Sequence, residues 1–176
     1  HLREGGNTNY DSVSRYAGTP ANVMSITGMI DGAADFNGLN ALISTTYGQP
    51  SVTSYTASAW IKTTDGAASR MILNDRGSGF GQSLSLGQRA AGGRPFFGLD
   101  TSGILIGQDA GNAINNDVWH HLAGVWTTPY GTQLATNQFR IYVDGVEVAT
   151  TPTSTGTAPY APLLGAGASQ ISYHQS

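Results

Sequence analysis

The chain has 176 residues, no cysteine and a formal net charge of -3. This length is enough for one domain with a sizeable core, and the missing cysteines exclude a disulfide framework and thiolate chemistry. The mild negative charge gives no electrostatic basis for binding nucleic acid or an acidic membrane surface. No apolar run approaches the ~18 residues of a membrane-spanning helix, so the sequence predicts neither a nucleic-acid partner nor membrane insertion.

Glycine and small polar residues dominate the composition and indicate an all-β fold. There are 24 glycines, and charged residues make up only 11% of the chain. Residues that favour turns and strands replace strong helix formers such as Lys and Glu. Since no segment keeps apolar residues at helical spacing over three turns, we expect no α-helix longer than about two turns.

Short alternating segments, each closed by turn residues, predict the strands in chain order. They are two short strands around Asn37-Gly38 within 34–46, then "YTASAWIKTTDG", "SRMILNDRGSG", "QSLSLGQ", "RPFFGLDTSGILIGQD" as a hairpin, "VWHHLAGVWTT" and "QFRIYVDGVEVATT". In the last segment, Asp144-Gly145 between two alternating runs is typical of a two-residue type I′ turn. Many short strands with turns about every 8–12 residues favour a sandwich or a barrel.

Two adjacent histidines, His120 and His121, lie between two tryptophans in "NDVWHHLAGVWTT". Successive side chains on a strand point to opposite faces, so these two rings cannot chelate one metal ion together. Both faces of this strand carry an aromatic and an aliphatic residue, which predicts that both faces are covered. We therefore expect Trp119 and Trp126 to be buried, and Trp60 likewise in its own alternating strand.

The segment "RPFFGLD" (94–100) carries the candidate ligand-binding residues. Alternation places Arg94, Phe96 and Asp100 on one face of a strand and the apolar residues between them on the core-facing side. A ring flanked by a cation and an anion on an open face can bind a sugar, because the ring stacks on C–H bonds while the charges bind hydroxyl groups. The structural alternative is that a loop covers Phe96 and that Arg94 pairs with Asp100.

A candidate metal site lies at Asn74 and Asp75 in "LNDRGSG". The two residues end a predicted strand and lead into a glycine-rich loop. Their side-chain oxygens suit calcium, which takes about 6–8 oxygen ligands in adaptable geometry. The alternative is a turn in which Asp75 caps backbone amides.

The carboxylates give no basis for a catalytic site. Glycoside hydrolysis generally needs two carboxyl groups that face each other across the sugar. On a strand such a pair would be two or four residues apart, whereas Asp144 and Glu147 are three apart across a predicted turn. The sequence therefore predicts that the chain is not an enzyme.

Four blocks in a fixed order resemble one family. They are "GMIDGAADFNGLNALIST", "YTASAWIKTTDGAASRMILNDRG", "NNDVWHHLAGVWTT" and "QFRIYVDGVEVATT". Together they are similar to the concanavalin A-like, laminin-G-like jelly-roll domains of bacterial extracellular proteins, over residues 28–165. The resemblance implies a sandwich of two antiparallel sheets and an extracellular or cell-surface location. Laminin-type relatives hold calcium at the rim with an aspartate just after a strand, and Asp75 matches that position.

The domain organisation predicted from the sequence is a single laminin-G-like domain over residues 1–176. Because the chain begins at His1 without a methionine, we expect it to be a piece of a longer protein. Domains of this type usually finish with a strand that closes beside the N-terminal strand, whereas this chain ends at "ISYHQS". We therefore expect the closing strand to be missing and a sheet edge to be unpaired near the termini.

Three functional hypotheses follow. The first is a secreted, non-catalytic carbohydrate-binding module, with a polysaccharide or glycoprotein as its partner and calcium as its cofactor. The second is a structural or adhesive domain that contacts protein, including other domains of its parent. The third, which the carboxylates disfavour, is a glycoside hydrolase or polysaccharide lyase of the same fold.

Overall fold

The structure is a computed structural model, and it describes residues 2–5, 8–11, 17–30, 32–45, 54–76, 82–90, 92–101, 104–128, 132–156 and 169–174. These residues form β-strands and one short 3-10 helix, with no α-helix among them. The predicted all-β fold is therefore confirmed. Nothing helical in the described part of the chain is long and apolar enough to span a bilayer.

The described residues form the following strands in chain order. They are β1 (Leu2–Gly5), β2 (Thr8–Asp11), β3 (Ala17–Ala21), β4 (Val23–Thr27), β5 (Gly32–Phe36), β6 (Leu42–Thr45), β7 (Ser54–Ile61), β8 (Arg70–Arg76), β9 (Gln82–Arg89), β10 (Arg94–Thr101), β11 (Ile104–Ala110), β12 (His120–Thr127), β13 (Phe139–Val143), β14 (Val146–Glu147), β15 (Thr150–Ser154) and β16 (Ser169–His174). The 3-10 helix comprises Thr136–Gln138.

Two antiparallel sheets form the layers of the sandwich. The large sheet has the strand order β1-β2-β3-β6-β16-β8-β9-β10-β11-β15, and the small sheet has the order β14-β13-β12-β7. Strands β4 and β5 pair separately as a ribbon. This arrangement is the predicted two-sheet jelly-roll sandwich.

The last described residues form a strand within the large sheet, and the expectation that a closing strand beside the N-terminal strand is missing stays a prediction. Strand β16 lies inside the large sheet, paired antiparallel with β6 on one side and β8 on the other. Within it, Ile171 stands opposite Ile43 on β6 and Leu73 on β8. Strand β16 therefore joins two parts of the large sheet.

The core lies between the two sheets and is organised by aromatic rings. The Phe97 ring of β10 meets the Phe139 ring of β13 edge-on, with centroids 5.8 Å apart, and Trp126 of β12 stacks on Phe139 at 6.2 Å. Gly124 is required beneath this cluster, because a Cβ at that position would overlap the Phe97 ring. The absence of a side chain at Gly124 thus sets how closely the sheets approach.

The hairpin between β13 and β14 has the turn that its sequence predicts. Asp144 has φ 53° and Gly145 has φ 81°, and two positive φ values in a two-residue turn are the mark of type I′. Aspartate and glycine adopt this region more readily than bulkier residues. The two residues of the turn were therefore sufficient to predict its type from the sequence.

The prediction that all three tryptophans are buried is wrong for one of them. Trp126 is fully buried and Trp119 is half-buried, but Trp60 keeps 41% of its surface exposed. The reason is that only one face of β12 and β7 meets the core. Residues on the other face of β12, such as His121 and Val125, are only half-buried.

Candidate functional site

The outer face of the small sheet carries an exposed tryptophan among polar side chains. Along β7, Ala57 faces the core while Ser58 and Trp60 are exposed. Trp60 stands opposite His121 of β12 in the strand register, and their ring centroids are 5.2 Å apart at an interplanar angle of 54°. The two rings form a continuous aromatic patch on an open sheet face.

Tyr142 extends this patch across the next strand. Ala123 of β12 lies between Ser58 on β7 and Tyr142 on β13 in one row of the sheet. Its small side chain leaves space between the two hydroxyl-bearing residues. We call the face formed by Ser58, Trp60, His121 and Tyr142 the Trp60 surface.

A hydrogen-bond network fixes the end of the small sheet next to the Trp60 surface. One Asp144 carboxylate oxygen accepts a bond from the His121 backbone N–H at 2.8 Å, and the other accepts from Nδ1 of His120, also at 2.8 Å. Nε2 of His120 lies 3.0 Å from the Asn116 side-chain oxygen. The turn aspartate therefore ties the β13–β14 hairpin to the start of β12, which holds His121 in place.

These bonds lower the pKa of Asp144. The largest cause is the hydrogen bond from the His120 side chain, followed by the bond from the His121 backbone, and together they hold the pKa below its ordinary value of 3.8. The pKa of Asp65 is also lowered, chiefly by the hydrogen bond from the Ala67 backbone, with Arg70 adding to it. Both groups favour the charged form in the folded state.

We expect these carboxylates to make the fold sensitive to acid. A carboxyl group whose pKa is lowered by folding stabilises the protein above its unfolded pKa, and this stabilisation is lost as the pH falls through the folded pKa. Thermal melting measured from about pH 5 down to about pH 2.5 should show a falling midpoint. Asp144→Asn, which tolerates the positive φ, should reduce this fall but not abolish it, because Asp65 remains. An unchanged pH profile in Asp144→Asn would contradict the assignment.

The predicted ligand-binding ring, Phe96, does not lie open. It is 1% exposed, because the Arg89 guanidinium covers it at 3.9 Å from the ring centroid. On its other sides the ring lies against Gly98 and Gly107, whose missing side chains leave room for it. The prediction of an open aromatic platform at Phe96 is therefore wrong, and the cover is an arginine from the neighbouring strand rather than a loop.

Arg94 and Asp100 lie far from each other on β10. Arg94 is exposed and Asp100 is half-buried, and they are six positions apart on an extended strand, which is about 20 Å. At this distance Arg94 and Asp100 do not form an ion pair. For the same reason the two charges cannot both hydrogen-bond to one sugar ring stacked on Phe96. Their separate roles in ligand binding stay predictions.

The predicted calcium residues, Asn74 and Asp75, both lie within β8, which ends one residue later at Arg76. The Asn74 side-chain oxygen is buried and has no hydrogen-bond partner among the described residues, which fits a ligand to a cation. The Asp75 side chain lies outside the described part. No cluster of three acidic or histidine side chains occurs among the described residues, so calcium at these positions stays a prediction.

Sequence reasoning did not select Trp60 as a functional residue, although a signal was present. The residues that share its face of β7, Thr56 and Ser58, are both polar and exposed. A strand face that is polar apart from one aromatic residue is typical of a solvent-facing binding surface rather than a core. The apolar residues next to Trp60 in the sequence led to the prediction that Trp60 is buried, so the polar face was not recognised.

Two packed antiparallel sheets with an open aromatic face define an all-β sandwich domain. A family model described as the concanavalin A-like lectin/glucanases superfamily, of the laminin G type, matches residues 36–175. The chain belongs to this superfamily, which confirms the resemblance seen in the sequence. No curated protein sequence matches the chain significantly.

Solved structures with a similar course of the chain have low sequence identity. The carbohydrate-binding module CBM66 from Bacillus subtilis is 15% identical with a TM-score of 0.45, over 90% of this chain and 95% of that one. β-Agarase B from Zobellia galactanivorans is 12% identical with a TM-score of 0.44, and the match covers 94% of this chain and 65% of the agarase chain. An inactivated β-agarase B mutant in complex with agaro-octaose is 11% identical with a TM-score of 0.44, and the match covers 94% of this chain and 63% of the mutant agarase chain. The chain thus spans less than two thirds of the agarase chains, and a likeness at this level assigns no ligand or activity to it.

Proposed function

We propose that this chain is a non-catalytic carbohydrate-binding domain that acts outside the cell and binds a polysaccharide or a glycoprotein glycan on the Trp60 surface. The observation that carries the proposal is the ring of Trp60, which is 41% exposed on the outer face of the small sheet. With the His121 ring 5.2 Å away it forms a contiguous aromatic patch beside polar side chains, and such patches mark interaction sites. The superfamily to which the chain belongs is described by its lectins and glucanases, which supports carbohydrate as the ligand class.

The chemistry of the Trp60 surface suits a sugar. An indole ring offers an apolar face to the C–H side of a pyranose, while its neighbours offer polar atoms. On that face Ser58 lies two residues from Trp60 along β7, His121 stands opposite Trp60 on β12, and Tyr142 lies one strand further on β13. The Tyr142 hydroxyl donates to Glu147 at 3.3 Å, so its oxygen can still accept a bond from a sugar hydroxyl.

The state of the carboxylates supports a non-catalytic role. A glycosidase needs two carboxyl groups placed on either side of the bond to be cleaved. Five carboxylates in the described part each pair instead with a basic side chain: Asp65 with Arg70, Asp109 with Arg89, Asp117 with Lys62, Asp144 with His120 and Glu147 with Arg140. These pairs favour structural and positioning roles for the carboxylates.

The alternative function is adhesion to a protein, and two exposed aliphatic side chains favour it. Val118 is 53% exposed and Val146 is 66% exposed. Aliphatic side chains have no polar atoms for sugar hydroxyls, but they suit a protein interface. Substitutions at these positions and at Trp60 therefore separate the two functions.

We expect Trp60→Ala to weaken glycan binding by about tenfold or more, because a central aromatic residue dominates a small contact. A glycan array identifies the bound polysaccharide, and isothermal titration then compares the wild type with the variant. The melting temperature should change little, since surface substitutions stay within about 0.5 kcal/mol.

Val146→Ala is the matched control, because it removes another exposed apolar side chain from the same sheet without touching the Trp60 surface. Glycan binding that survives in Trp60→Ala would refute the proposed surface. Loss of a protein partner in Val146→Ala, with no glycan bound by the wild type, would assign the domain to adhesion.

A further inference from the structure

Two arginines face each other across strands β9 and β10 on the outer face of the large sheet. Arg94 is the register partner of Arg89, and directly opposed residues of antiparallel strands have Cβ atoms about 4.5–5.5 Å apart. Like charges in this arrangement repel each other. Packing alone therefore does not explain why two arginines occupy opposed positions.

The position of Arg89 is fixed by its neighbours, yet its donors are not all used. Its Nε donates to an Asp109 carboxylate oxygen at 3.1 Å, and its guanidinium lies 3.9 Å above the Phe96 ring. Its Nη2 is buried and has no hydrogen-bond partner among the described residues. A guanidinium has five N–H donors, but this one is enclosed, so Arg89 contributes a fixed positive charge rather than an open Nη2 donor.

Arg94 carries a charge that no described carboxylate neutralises. It is exposed, and it forms no ion pair with any residue that the structure describes. Asp109 forms its ion pair with Arg89, and its second oxygen accepts a hydrogen bond from Thr153. Two cations with one carboxylate leave a local positive charge on a chain whose net charge is -3.

We propose that Arg89 and Arg94 form a binding site for an oxyanion, namely the carboxylate or sulfate group of an acidic ligand. Arg94 is the accessible partner, and its planar fork matches the two oxygens of such a group. Arg89, held by Asp109 and Phe96, adds a second positive charge in a fixed position. The site lies on the opposite sheet from the Trp60 surface, so it is independent of the function proposed for that surface.

The net negative charge of the chain opposes the approach of an anion. The two arginines therefore have to supply the attraction locally. The attraction should weaken as salt rises, because the Debye length falls to about 10 Å at 0.1 M ionic strength.

The test titrates the intact chain with polygalacturonate, dextran sulfate, sodium sulfate and neutral dextran by calorimetry at low salt. We expect an acidic probe to bind and dextran not to bind at this site. Arg94→Ala should weaken that binding by about tenfold, as expected for the loss of charged hydrogen bonds. Arg140→Ala, which removes the same charge from an exposed arginine on the small sheet, should bind like the wild type.

Each outcome decides the proposal. Binding of polygalacturonate alone identifies a carboxylate, and binding of dextran sulfate alone identifies a polymer-borne sulfate. Binding of sodium sulfate as well shows that the free ion suffices. If no acidic probe binds, or if Arg94→Ala binds as tightly as Arg140→Ala, the site does not exist.

Discussion

Trp126→Ala is expected to lower the free energy of unfolding by about 3–5 kcal/mol, the range for removing a large aromatic side chain from a core. Trp126 is completely buried and stacks on Phe139 with ring centroids 6.2 Å apart and planes 18° apart. Its loss would leave a cavity between the two sheets that the surrounding strands cannot close, because their register is fixed on both sides of β12. Urea unfolding followed by circular dichroism measures the difference.

Two further variants show whether this loss comes from burial. Trp126→Phe should cost much less than Trp126→Ala, since it keeps most of the volume and removes an indole N–H that has no hydrogen-bond partner among the described residues. Trp60→Ala, on the outer face of the same sheet, should stay close to the wild type. A loss below about 1 kcal/mol for Trp126→Ala would show that the two sheets do not pack through this ring.

Local signals in the sequence predicted the local structure well. The type I′ turn at Asp144-Gly145 depends only on residues that tolerate positive φ, and the structure has it. The alternation in β10 and β12 placed the side chains on the correct two faces. These features can be predicted without knowing which strands lie next to them in the sheet.

Features that depend on the neighbouring strand could not be predicted in the same way. Both faces of β12 carry aromatic residues, and which one meets the core is decided by Phe97 of β10, which packs against Gly124. Phe96 was assigned to an open face because Arg89, which covers it, comes from β9 through a register that the sequence does not reveal. The position of β16 between β6 and β8 depends likewise on long-range pairing.

Phe96→Ala is expected to lower the free energy of unfolding by about 3–5 kcal/mol, because Phe96 behaves as a core residue although it lies on the outer face of the large sheet. The ring is 1% exposed. It fills the space that the missing side chains of Gly98 and Gly107 leave open. Its removal would also uncover the underside of the Arg89 guanidinium and end their cation–π contact, which is worth about 0.5–2 kcal/mol.

Arg94→Ala is the matched control for this experiment, since it alters the same face of the same strand two residues away. Arg94 is exposed, so its removal should change stability by no more than about 0.5 kcal/mol. A stable Arg94→Ala beside a destabilised Phe96→Ala would show that the ring supports this face from within, while the arginines remain available to a ligand. If Phe96→Ala melts like the wild type, the ring is open in solution, and Phe96 itself becomes the surface on which a sugar would stack.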